Sequence, residues 1–175
     1  MSVPVVWITG RPAAGKTTLA DRLAHALVAA GVRATVLDSD EMRAYVTPNP
    51  RYTDEERAML YRALAYAAER IARERIIPVV AATAHSAQLR AVARARAKRF
   101  FLIYAKAPSS LCEHRDPKAL YRKAHAESEG TMPGVHVPYE EPNDADVIVD
   151  TSTRVSDEAV QALAERIVGE DLSDR

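Results

Sequence analysis

The feature that most constrains this chain is a fixed order near its start: an apolar run, a glycine-bounded turn, then an amphipathic run. Val3 to Thr9 is almost wholly apolar and reads as a buried strand. Gly10-Arg-Pro-Ala-Ala-Gly-Lys-Thr follows without a gap. Lys16 to Ala30 then places Leu19, Leu23, Leu27 and Ala30 on one helical face, with Gly31 as the stop. A buried strand that feeds a helix through a tight turn hides its apolar surface best in a parallel sheet covered by helices. The rest of the chain repeats the alternation. Strands are expected at Ala34 to Leu37 (closing at Asp38), Ile76 to Ala82, Arg99 to Ala105 and Val147 to Asp150. A long helix is expected from Asp54 to Arg75, opened by Thr53 with Glu56 three residues on as a capping box. Further helices are expected over Arg90 to Ala97 and from Ser156 to about Val168, leaving Gly169 to Arg175 as a frayed tail. The chain of 175 residues suits one domain, residues 1–175.

The turn itself carries chemistry. Its pattern, G-x-x-x-x-G-K-[ST] between a strand and a helix, defines a loop that cradles phosphates. Its glycines let successive backbone N–H groups point inward, and the helix N-terminus adds partial positive charge. Gly10, Ala13, Ala14, Gly15, Lys16, Thr17 and Thr18 are therefore expected to hold ATP. Lys16 is expected to act on the transferring phosphate, and Thr17 to ligate Mg²⁺. The fold class expected is α/β, a parallel β-sheet flanked by helices on both faces, of the P-loop NTPase/kinase type. A guanine-reading N-K-x-D and a D-x-x-G switch are both missing from the sequence, so a small-molecule kinase suits it better than a switch GTPase.

Charge narrows the partners. Lys plus Arg (24) balance Asp plus Glu (24), which argues against holding nucleic acid or an anionic membrane by bulk charge. No apolar run approaches the roughly 18 residues of a membrane span. One cysteine, Cys112, leaves no internal disulfide, and the start has no basic leader, so a cytoplasmic location is expected. Cys112 itself reads as a small buried residue. The stretch His114 to Asn143 breaks the alternation and is rich in charge, Gly and Pro. Its basic residues Arg115, Lys118, Arg122, Lys123 and His125 suggest a lid, over about 114–143, that meets anions.

On the acceptor side, Asp38-Ser-Asp-Glu-Met-Arg closes the second strand, where ligands of open α/β sheets bind. Asp38 could order a metal-bound water or take the proton of an acceptor hydroxyl; it could equally be a plain helix cap. Asp40 and Arg43 would hold the acceptor. Arg57 stands in the first turn of the long helix, where the dipole disfavours a cation; a bound anion explains it, and so does a solvated pairing with Glu55 or Glu56. Arg90, Arg94 and Arg96 read as the solvated face of a surface helix.

At this point the chain resembles the adenylyl-sulfate (APS) kinases, which phosphorylate the 3′-hydroxyl of adenosine 5′-phosphosulfate with MgATP to give PAPS. Arg115-Asp-Pro-Lys-Ala-Leu-Tyr-Arg-Lys-Ala is similar to the family's R-D-P-K-G-L-Y-K-K-A, and Gly134-Val-His-Val-Pro-Tyr-Glu-Glu-Pro to G-I-D-x-P-Y-E-x-P. Asp38-Ser-Asp-x-x-Arg resembles D-G-D-x-x-R, and Arg57 matches the arginine of F-S-x-x-D-R. The resemblance implies catalytic roles for Lys16 and Asp38, and a metal held at Thr17 and Asp38. It implies acceptor contacts by Asp40, Arg43, Tyr52, Arg57, Lys118, Lys123, Met132 and Tyr139, with Arg115 on the ATP side of the lid. It also implies a possible homodimer. The chain departs from the family at Ala13 and Ser39 (glycines there), Leu60 (asparagine), Ala84 and His85 (serine and proline) and Met132 (phenylalanine). Those departures keep two alternatives open: a kinase of the same architecture acting on another hydroxyl acceptor, possibly nucleotide-linked, or a nucleotide-binding protein without catalysis.

Overall fold

The computed structural model describes residues 3–127 and 129–172, with side chains through 169. Five parallel strands form one sheet in the order β2-β3-β1-β4-β5. They are β1 (Val5–Thr9), β2 (Ala34–Asp38), β3 (Ile77–Ala81), β4 (Phe100–Lys106) and β5 (Val147–Asp150). Every residue of β1 and β3 is buried, which requires cover on both faces. The cover comes from α1 (Lys16–Ala29) packed with α7 (Asp157–Leu172), and from α3 (Asp54–Arg73) packed with α4 (Ala87–Arg96). Trp7, Leu23, Leu27, Leu60, Leu64 and Ile103 are fully buried between these layers. α2 (Ser39–Val46) follows β2 directly.

The strand order explains where the site must lie. From β1 the chain moves outward to β2, returns to β3 beside β1, then crosses to β4 on the other side of β1. The winding reverses at β1, so a crevice opens at its carboxyl end, directly above Gly10.

Element ends differ from the sequence reading in instructive ways. β1 starts at Val5, after Pro4, rather than at Val3, and α1 stops at Ala29 instead of Ala30. α3 ends at Arg73, because Arg75 takes a left-handed φ of +58° that no helix continues through. β3 spans Ile77–Ala81 rather than 76–82, and β4 runs Phe100–Lys106, one residue later than expected. α4 begins three residues before Arg90, because the Ser86 hydroxyl accepts the Leu89 N–H and caps it. α7 continues through Gly169 to Leu172 instead of stopping near Val168, and the rest of the expected tail, 173–175, lies outside the described residues. The capping box at Thr53 forms by half. Thr53 Oγ1 accepts the Glu56 N–H at 3.3 Å, but the Glu56 carboxylate reaches past Thr53 to the N–H groups of Arg51 and Tyr52.

The expected lid is not a bare loop. α5 (Ser109–Arg115) runs into it, and α6 (Leu120–Ala126) lies within it. The turn between them is built on Asp116, whose carboxylate accepts the N–H groups of Tyr121 and Arg122 and so satisfies the start of α6.

Candidate active site

The phosphate loop is shaped by backbone. Ala13 and Gly15 take left-handed φ values of +60° and +87°, and the Ala14 N–H bonds back to the Arg11 carbonyl at 3.1 Å. Gly10 has no alternative here, because a Cβ would sit 2.5 Å from the Ala105 carbonyl oxygen of β4. Lys16 folds its amine into the loop it serves, donating to the carbonyls of Gly10 (3.0 Å) and Arg11 (2.8 Å). The stem of Lys16 is half-exposed while its amine is enclosed, and that burial lowers its pKa to about 8 against the opposing pull of Asp40, Cys112 and Asp38. An anionic phosphate in the loop would meet an amine that is poorly compensated without it.

Thr17 and Asp38 meet beside the loop. The Thr17 hydroxyl donates to Asp38 Oδ2 at 2.7 Å. The other carboxylate oxygen, Oδ1, accepts the Asp40 N–H at 2.7 Å and caps α2. Asp38 is therefore a helix cap that also faces the loop's hydroxyl. A hydroxyl and a carboxylate are the hard oxygen donors Mg²⁺ prefers, with substrate phosphates completing its shell, so the residues fit that ion. Thr18 lies exposed in the first turn of α1.

Several of the residues expected to hold the acceptor meet around α2 and α3. Lys118, reaching in from the lid, bonds Asp40 Oδ2 at 2.5 Å, which raises its pKa. The Arg43 guanidinium stacks 4.8 Å above the Tyr52 ring. Arg57 corrects the solvated alternative: it is 5% exposed and pairs with neither Glu55 nor Glu56. Instead its Nε donates to the Tyr52 carbonyl at 3.1 Å and its Nη2 to the Thr131 carbonyl at 2.5 Å, tying the lid to α3. Arg90 also departs from the solvated-face reading. It is buried and donates to the Ala84 carbonyl at 2.9 Å, whereas Arg94 pairs with Asp144 and Arg96 stacks on Tyr66, both partly exposed.

The segment expected as a lid rests on the phosphate loop. Tyr121 is buried and its hydroxyl donates to the Pro12 carbonyl at 3.0 Å. Met132 and Val135 pack with Ala14, Ala107, Cys112 and Tyr121 in a small apolar cluster, so Cys112 is the buried small residue expected. Met132, half-buried, thus packs against the phosphate-loop wall, and Arg57 links the neighbouring Thr131 carbonyl to that of Tyr52. Tyr139 is buried; its hydroxyl pairs with Thr9 Oγ1 at 3.1 Å, its ring lies under Arg11, and burial pushes its pKa to about 12. Arg115 donates to the Ser152 carbonyl at 2.8 Å at the outer end of α5, and Lys123 is exposed in the last turn of α6. Among the described residues no group of three or more His, Cys, Asp or Glu side chains forms a metal site by itself.

Sequence reasoning missed three contributors. Arg11 covers Tyr139, and Tyr61 accepts the Ala84 N–H at 2.8 Å. Arg90 had a legible signal: it shares a helical face with Ala93 and Ala97.

The decisive likeness is one of sequence over nearly the whole domain. A profile of the adenylylsulphate kinase family matches residues 2–150. The chain belongs to the adenylyl-sulfate kinase family. A probable adenylyl-sulfate kinase of Archaeoglobus fulgidus is 38% identical over 147 residues, covering 84% of this chain and 95% of that protein. One from Pyrococcus abyssi is 35% identical over 158 residues, covering 90% and 91%. Among solved structures, the Mycobacterium tuberculosis APS kinase CysC in complex with AMPPNP and APS superposes with a TM-score of 0.83 at 28% identity, covering 99% of each chain. The parallel sheet flanked by helices is thus the adenylyl-sulfate kinase fold carried by this chain.

Proposed function

We propose that the protein transfers the γ-phosphate of ATP to the 3′-hydroxyl of adenosine 5′-phosphosulfate, giving PAPS and ADP. The observation that carries this reading is the convergence at the end of β1 and β2: an enclosed Lys16 amine, and the Thr17 hydroxyl 2.7 Å from Asp38. Phosphoryl transfer asks a protein mainly for positioning and charge stabilisation. The loop amides and Lys16 would hold the transferring group, and Arg115 would lie on the ATP side of the lid. Thr17 and Asp38 would hold Mg²⁺, which when bound supplies charge neutralisation at the phosphates. The acceptor oxygen forms a bond to the γ-phosphorus, the bond from that phosphorus to the β,γ-bridging oxygen breaks, and the hydroxyl proton passes to Asp38. Asp40, Arg43, Arg57, Tyr52, Lys118, Lys123 and Tyr139 would orient the acceptor, and the lid over 114–143 would exclude water. We assign Met132 a lesser part, as packing behind the loop.

A same-fold kinase with another hydroxyl acceptor is the second reading, favoured by Leu60 and Ala84, apolar where the resembled motifs carry asparagine and serine. The test is ADP release with MgATP and a panel of acceptors. Release that depends on adenosine 5′-phosphosulfate and vanishes in Lys16→Ala supports the first reading; release only with another hydroxyl compound refutes it. We further propose a homodimer, which light scattering would report as twice the 19.2 kDa chain mass. A cytoplasmic location is also proposed, supported by the free, buried thiol of Cys112.

A further inference from the structure

The segment after β3 carries a polar group that nothing above has used. β2 and β3 are neighbours, with Asp38 opposite Ala81, so residues 82–86 continue from the strand end that lies beside Asp38. This segment is pinned by its backbone. The Ala84 N–H donates to the Tyr61 hydroxyl oxygen (2.8 Å), the Ala84 carbonyl accepts from Arg90 (2.9 Å), and the His85 carbonyl accepts the Glu140 N–H (2.8 Å). The backbone that carries His85 is thereby held in place before any ligand arrives. Its Nδ1 is buried and has no hydrogen-bond partner, and so is Nη1 of Arg43. Buried polar atoms in native proteins are nearly always paired, so an unpartnered Nδ1 close to the charge of Arg57 is open to an anionic ligand.

Tyr61 links the two orphans. Its hydroxyl is bonded to the Ala84 amide, and it feels the charges of both Arg43 and Arg57. His85 itself faces Arg57 and Asp54 of α3, Arg90 of α4, and Glu140 of the segment before β5. Orphaned donors beside guanidinium groups call for an oxyanion. Leu60 and Ala84, both fully buried, offer that anion nothing.

We propose that His85 donates a hydrogen bond from Nδ1 to an oxygen of the acceptor's phosphosulfate group, making it a binding and specificity residue of this chain. The inference rests on the reading of the acceptor as adenosine 5′-phosphosulfate. Burial first, and then Arg57, lower the pKa of the ring. An anion beside the ring would act the other way and favour its protonated form, in which Nδ1 is a donor.

The test compares His85→Ala with His85→Asn, whose amide nitrogen can occupy the Nδ1 position. With adenosine 5′-phosphosulfate and MgATP, His85→Ala is expected to raise the acceptor KM about ten- to hundredfold, as loss of a hydrogen bond to a charged group does. The kcat and the KM for ATP stay within about threefold on this account, and His85→Asn recovers most of the loss. The wild-type acceptor KM is expected to rise with pH through the imidazole titration, and in His85→Asn it is expected to be flat there. An unchanged acceptor KM in His85→Ala overturns the proposal while leaving the kinase reading intact. Equal losses in kcat, ATP KM and thermal midpoint for both variants also overturn it, because they mark a structural role. If the wild-type protein makes no PAPS, the kinase reading fails and this inference falls with it.

Discussion

Replacing Asp38 separates two jobs that one carboxylate performs. Oδ1 caps α2 through the Asp40 N–H, and Oδ2 accepts the Thr17 hydroxyl, each at 2.7 Å. Asparagine is as good an N-cap as aspartate, so Asp38→Asn keeps the cap and costs a few tenths of a kcal/mol of stability. Alanine loses the cap, about 0.5–2 kcal/mol, and leaves the Thr17 hydroxyl to water. For a chain of this size each kcal/mol moves the thermal midpoint by about 2–4 °C. Asp38→Ala should therefore melt about 1–8 °C below the wild type, and Asp38→Asn within about 1 °C of it. Chemistry should respond differently. Losing the group that takes the hydroxyl proton costs about 10²–10⁴ in kcat, or about 3–5 kcal/mol of barrier, in both variants. Melting curves, with kcat and ATP affinity measured on the same preparations, check the scheme. If Asp38→Asn turns over within a few-fold of the wild type, the carboxylate is a cap alone and its proton-accepting role is wrong.

The enclosed Lys16 amine makes a pH prediction. Its pKa of about 8 in the empty loop should rise when phosphate charge arrives, so MgATP binding at pH 8 should take up about half a proton, and at pH 6 none. Calorimetry in buffers of different ionisation enthalpy reads this directly, and zero uptake at pH 8 contradicts the geometry. In the lid, Ala119 sits at φ +54°, where the resembled motif has glycine. Ala119→Gly should relieve about 1–2 kcal/mol of left-handed strain and give back about 0.4–1 through the looser unfolded chain. A small rise in thermal midpoint is expected, and a clear fall refutes the strain.

The parts of this fold that were legible in the sequence are those whose physics is local. Gly10 and Gly15 announce the loop, and its setting between a buried run and an amphipathic one announces the strand end it occupies. The reason Gly10 is obligatory was not legible, because its constraint is the Ala105 carbonyl of a strand ninety-five residues away. Arg57 and Arg90 look solvated when judged by charge. Each is buried because backbone carbonyls accept its donors, Thr131 of a distant segment for Arg57 and Ala84, six residues back, for Arg90. α6 was hidden for a similar reason: Asp116 supplies its N-terminal bonds from outside the helix, across a proline-containing turn that reads as a loop. The acceptor wall was half legible. The changes at Leu60 and Ala84 stand out against the resembled motifs, but the unpaired Nδ1 of His85 is a fact of three dimensions.

The central claim is that a phosphoryl group moves from ATP to one particular oxygen. Wild-type protein incubated with MgATP and adenosine 5′-phosphosulfate can be followed by phosphorus NMR with proton correlation. The account predicts a new phosphomonoester coupled to the ribose H3′ of the sulfated nucleotide, with ADP appearing in equal amount. A phosphorus signal on any other atom, or ATP consumed with only inorganic phosphate released, would contradict it.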